Sequence, residues 1–237
     1  MPISTSDLSG MPDIESLRRM LRAVAMMESI LNLSLSEAMT PEHQFMPQWM
    51  PGVDVALWNN LQGDDYFVVF DDAGCWFRGF AHEAEMSPVR RNSPWRAQIF
   101  FQGMPTVFER WLKEPAFGSL DETTFCIWRN RSDTAWRRGN FDLPSTSASR
   151  SKKFHDPDLS GMILQQFERA PEEWAVWEDE NFERVDDPID REAVAKLFTL
   201  RPLTKSIIQG IWQDAPLDKC LAEAKAMRYP IDLSFDQ

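Results

Sequence analysis

Apolar positions near the start of the chain follow a helical period. Behind Asp13, which can cap a helix, Ile14, Leu17, Leu21, Val24 and Leu31 recur at steps of three, four and seven, the spacing of one buried stripe. Met20, Met26 and Met27 flank that stripe; methionine either fills gaps in a core or forms an adaptable contact surface. From Thr40 to Gly52 the prolines Pro41, Pro47 and Pro51 predict a loop or linker, pinned by Phe45, Trp49 and Met50. The period then shortens. Tyr66 to Phe70 and Cys75 to Phe80 are aromatic-rich β-prone runs joined by Asp71-Asp72-Ala73-Gly74, a sequence suited to a tight hairpin turn. A second hairpin is expected where Thr124 to Trp128 is followed, across Asn130 to Asp133, by Ala135 to Gly139. Trp76-Phe77-Arg78-Gly79 and Trp136-Arg137-Arg138-Gly139 share a Trp-x-Arg-Gly pattern, which records either a duplicated strand unit or two independent hairpin ends.

Between the hairpins, Met104 to Leu112 predicts a short helix with Pro105 in its first turn and Val107, Phe108, Trp111 and Leu112 as its apolar face. The Ser- and Lys-rich stretch Pro144 to Lys153 is the candidate mobile loop. Beyond it the pattern is helical, with segments at Asp158 to Phe167, Pro171 to Phe182, Asp190 to Leu200, Pro202 to Trp212 and Pro216 to Met227. The fold class predicted is α+β: a small antiparallel sheet from two aromatic-rich hairpins, packed with helices and followed by a helical C-terminal part. The 237 residues suit one domain, with a sub-boundary at 144–156 separating a sheet-containing part (about 40–143) from a helical part (157–229).

Composition narrows the function classes. A formal net charge of −12 argues against nucleic acid, whose affinity for proteins comes from cationic side chains that release counterions. The same charge steers basic partners. Ten Trp and 16 Phe against two Tyr supply rings for a core or for a partner-binding surface. Cys75, Cys126 and Cys220 are odd in number and contain no C-x-x-C pair, so neither a disulfide framework nor a zinc knuckle is predicted; Cys75 and Cys126 fall in predicted strands and are assigned to the core. The N-terminus has no signal-peptide pattern and no apolar run approaches a membrane span, which predicts a cytoplasmic protein with no membrane partner.

Candidate chemistry is sparse. Gly79-Phe80-Ala81-His82-Glu83-Ala84-Glu85 directly follows a predicted strand, and His82, Glu83 and Glu85 could supply acid, base or a ligand. His-Glu without a second His at helical spacing is not a zinc-protease motif, and His43 and His155 lie far off in sequence. No nucleophile elbow, phosphate loop or dinucleotide fingerprint occurs, and Leu159-Ser160-Gly161 lacks a preceding glycine and strand. No metal and no cofactor is predicted.

Charge placement says more. Arg129, Arg131, Arg137, Arg138, Arg150, Lys152 and Lys153 form a basic segment, and Glu172, Glu173, Glu178, Asp179, Glu180, Glu183, Asp186 and Asp187 an acidic block after it. The two can complement each other within the chain. On a helix, Trp174, Trp177 and Phe182 most simply form an inward stripe with the acids as its solvated face. Turned outward, Glu172, Glu173, Trp174, Trp177, Glu178, Asp179 and Glu180 would instead bind a basic protein, charge steering the encounter and the rings anchoring it.

Gly79-Phe80 with His82-Glu83, Ser87-Pro88, Pro105 with Phe108, Thr123 to Arg129, and Pro202-Leu203-Thr204 together resemble a family of uncharacterised bacterial cytosolic proteins. The resemblance spans roughly residues 65 to 231. It implies a bacterial origin, makes His82-Glu83 a position to test, and brings no activity, cofactor or substrate. Three functions are expected in order: a non-catalytic acidic binding protein, such as an immunity-type inhibitor of a basic protein; a hydrolase or metal-dependent enzyme centred on His82, Glu83 and Glu85; and an assembly subunit with a homodimer seam along the methionine-rich first helix.

Overall fold

The computed structural model describes residues 2–35, 40–144 and 156–232. It has the expected α+β class. Six strands, β1 (His43–Met50), β2 (Val53–Asn59), β3 (Asp65–Phe70), β4 (Gly74–Phe80), β5 (Phe125–Asn130) and β6 (Arg137–Arg138), lie in one antiparallel sheet in chain order. The α-helices are α1 (Ile14–Leu33), α2 (Ser160–Leu164), α3 (Pro171–Asn181), α4 (Arg191–Phe198), α5 (Lys205–Ile211) and α6 (Leu217–Ala226). The chain forms two compact units, Met1–Ile14 with Met50–Glu168 and Glu15–Trp49 with Arg169–Gln237. Residues 145–155, which carry most of the Ser- and Lys-rich stretch, its sub-boundary, Arg150, Lys152, Lys153 and His155, lie outside the described residues.

In the first unit both predicted hairpins form. The β3–β4 turn is built by Asp71, whose carboxylate accepts the backbone N–H groups of Ala73 (2.8 Å) and Gly74 (3.1 Å). The same carboxylate accepts from Arg110 (2.7 Å) and the Trp111 indole (3.0 Å), fixing the turn to the segment beside it. Strand β4 is buried along its whole length, Arg78 included. Tyr66, Phe77, Phe125 and Phe167 cluster through ring contacts of 5.0–5.9 Å on one sheet face. Phe67, Trp76, Trp111 and Phe117 cluster on the other. Gly79 stands opposite Phe125, and a Cβ there would lie 2.1 Å from its ring. At Gly139 the obstacle is different: a Cβ would lie 2.7 Å from the Phe100 carbonyl oxygen. The two Trp-x-Arg-Gly glycines therefore answer to unrelated neighbours.

Three expectations for local structure are corrected. Thr40 to Gly52 is not a loop, because it contains β1, whose Pro47 is tolerated in a strand that comes first in the sheet order. Strand β2 was not predicted at all. Its first four residues are all buried, Asp54 among them, so Val53-Asp54-Val55-Ala56 shows no clean alternation. The helix expected at Met104 to Leu112 is a 3-10 segment, Thr106–Lys113. Its three-residue period puts Phe108 and Trp111 inside and leaves Val107 49% exposed.

In the second unit, Leu17, Leu21, Val24 and Leu31 of α1 are buried as the spacing required, and so are Met26 and Met27. Met20 is half-buried. The later helices start where side-chain caps stand: the Asp190 carboxylate accepts from the Glu192 N–H (2.9 Å) and the Thr204 hydroxyl from the Ile207 N–H (3.2 Å). Gly210 lets α5 approach α4, since a Cβ there would lie 2.8 Å from the Ala193 methyl. Among the described residues no helix is long and apolar enough to cross a membrane.

Candidate acidic binding surface

Helix α3 carries the acidic, Trp-containing segment. Pro171 sits at its first turn, Glu172 and Glu173 complement the positive end of the dipole, and the Glu173 carboxylate accepts the Ala170 N–H (2.7 Å). Its last turn holds no basic residue, although Asp179 and Glu180 lie at that end, where negative charge opposes the dipole. Asp179 has structural partners: it accepts from the Ile189 N–H (2.8 Å) and from Arg191 (2.7 Å), and stands 3.9 Å from Arg184. Arg184 in turn binds the Asp187 carboxylate (3.0 Å) and lies over the Trp212 ring (4.4 Å).

The helix divides its two tryptophans between core and surface. Trp174 is buried, meeting His43 edge-on at 5.5 Å and Phe198 at 6.5 Å. One turn later Glu178 is also buried, only 2% exposed. Burial first, and then Glu28, drive its carboxyl well above the usual carboxylate range, while Asn181 and Arg169 pull the other way. Trp177 is 42% exposed, beside Val176 at 45%, and Val185 follows at 88%. Glu172, Glu173, Glu180 and Glu183 are exposed around them, with Glu173 and Glu180 one turn before and after Trp177. Of the seven residues expected to bind a partner, Glu172, Glu173, Trp177 and Glu180 are therefore accessible. Trp174 and Glu178 are inside, and Asp179 holds the turn into α4.

The other candidates are dispersed. His82 is half-exposed after β4, and its backbone N–H (2.9 Å) and ring Nδ1 (2.7 Å) both meet Asp64 rather than Glu83 or Glu85, which are exposed on the following turn. Among the described residues no three His, Cys, Asp or Glu side chains gather closely enough to hold a metal ion. Cys75, Cys126 and Cys220 are buried, and burial pushes the Cys126 thiol far up, away from the reactive thiolate. Three residues of the basic segment are engaged locally: Arg129 and Arg137 with Asp133, and Arg138 with the carbonyls of Thr5, Gly139 and Phe141.

Sequence reasoning missed the pairing of His43 with Glu28, whose carboxylate takes both the His43 backbone N–H (2.8 Å) and its ring Nδ1. His43 also lines a cavity of about 640 Å³ together with Asn32, Phe45, Met46, Glu223 and Met227. Its partners come from α1, β1 and α6, so no short motif announces it. Comparison of the chain with protein-family models, curated proteins and solved structures finds no match.

Proposed function

We propose that the chain is a non-catalytic binding protein, acting in the cytoplasm, whose α3 surface docks a basic protein in the manner of an immunity-type inhibitor. The observation that carries this reading is Trp177, a large ring left 42% exposed on a helix whose other tryptophan is buried, and bordered by the exposed carboxylates of Glu172, Glu173, Glu180 and Glu183. Tryptophan is the side chain most enriched among interface anchors, and a surrounding field of one sign raises the encounter rate with an oppositely charged partner. Glu180, at the end of α3 where negative charge opposes the helix dipole, is exposed, as expected of a charge kept for an external contact.

Glu172→Lys, Glu180→Lys and Glu183→Lys together reverse this field and leave the Glu173 cap in place. The expected result is that the tagged native protein retains a basic protein at low salt and releases it at high salt, while the triple variant, melting at a similar temperature, binds that protein at least tenfold more weakly. Retention of every copurifying protein by the triple variant would sink the reading.

A further inference from the structure

The surface around Trp177 already holds a guanidinium group. Arg169 places its guanidinium carbon 4.0 Å from the Trp177 ring centroid and 5.0 Å from that of Trp174. Glu173 and Glu178 act on it electrostatically as opposite charges. Glu178 is almost wholly buried, and its Oε1 has no hydrogen-bond partner among the described residues. The half-exposed face of Trp177 and the exposed Glu173 carboxylate form a receptor for a planar cation; a lysine ammonium cannot stack in this way and carries a tightly held hydration shell.

We infer that Arg169 is a placeholder, and that an arginine side chain of the basic partner displaces it and stacks on Trp177 beside Glu173. This inference rests on the binding role proposed for α3 and adds the partner's chemistry: arginine in preference to lysine. The occupant follows from charge complementarity, since the exposed residues around Trp177 include Glu172, Glu173, Glu180 and Glu183. The chain's own guanidinium marks the position. Displacement requires Arg169 to compete with the incoming side chain, so removing Arg169 strengthens binding. An Arg169 that merely covers the Trp177 ring would make no such contribution.

The test uses the full chain with fluorine-labelled tryptophan, titrated with end-capped tetra-arginine and tetra-lysine peptides. The native protein is expected to bind tetra-arginine at least threefold more tightly, with a shift of the Trp177 fluorine signal. Arg169→Gln, with Arg169→Ala as a second variant should either fail to fold, is expected to tighten tetra-arginine binding at least threefold more than tetra-lysine binding, which separates loss of the competitor from the change in net charge. Trp177→Leu is expected to abolish the preference for arginine. Equal affinities for the two peptides, or an Arg169→Gln protein that gains nothing specific for arginine, would overturn the inference. If that occurs while the Glu172, Glu180 and Glu183 reversal still releases a basic protein, the binding role stands and only the arginine site falls; if the reversal releases nothing, both fall.

Discussion

Trp174→Ala is expected to lower the stability of the protein by about 4 kcal/mol and Trp177→Ala by less than about 1 kcal/mol, although the two lie three residues apart on one helix. Trp174 is buried against His43 and Phe198, so truncation opens a ring-sized void in packed surroundings. Trp177 loses only a half-exposed contact with Arg169. Urea denaturation of the two variants measures the difference. Comparable losses would show that Trp177 is a core residue and would remove the anchor on which the proposed surface depends.

The second large effect concerns pH. Asp158 is fully buried, and burial, reinforced by the neighbouring Asp156, pushes its carboxyl up to about 7 against the opposing hydrogen bonds of Thr5 and Ser160. A folded-state pKa above the unfolded value means that the folded protein holds a proton which the unfolded chain releases. The associated stability is complete below about pH 4 and is lost as pH rises to about 7, by up to roughly 4 kcal/mol. Asp65, pushed up to about 6 by burial, adds a slope of the same sign over a narrower range. Asp158→Asn replaces the protonated acid with a neutral amide whose oxygen can still accept from the Ser160 N–H and hydroxyl (3.0 and 2.8 Å) and whose nitrogen can donate to the Thr5 hydroxyl oxygen. The variant is therefore expected to gain on the native protein as pH rises from 4.5 to 7.5, leaving the smaller Asp65 slope. Parallel stability curves for the two proteins would show that Asp158 is ionised in the fold.

The C-terminal helices were the most legible part of the sequence. Pro171, Asp190 and Pro216 mark starts, the segment expected at Pro171 to Phe182 is α3 at Pro171–Asn181, and the helix expected from Pro202 begins after the Thr204 cap. These signals are local: a proline's fixed φ and a cap's oxygen act within one turn. The hairpin at Asp71 to Gly74 was legible for the same reason. Strand β1 was hidden because its prolines say nothing of position in the sheet order, and β2 because burial of Asp54 erased the alternation.

The candidate surface was half legible. Spacing put Trp174, Trp177 and Phe182 on one stripe with the acids outside, but Glu178, one turn beyond Trp174, is inside the second unit near Glu28, while Trp177 at the margin of the stripe is left exposed. No period in the sequence predicts a buried glutamate. The Glu28–His43 pairing that helps to build its surroundings joins residues 15 apart, on a helix and on a strand, and such tertiary partners override the local pattern.

The most direct test of the proposed function is photo-crosslinking in the cells that make the protein, with a photoreactive amino acid at position 177 of α3 and, as a control, at position 107, where Val107 is similarly exposed. The predicted result is an adduct to a basic protein from position 177 alone, which disappears when Glu172, Glu180 and Glu183 are reversed to lysine. Equal adducts from both positions, or an adduct at 177 that survives the reversal, would contradict the assignment of α3 as the docking surface.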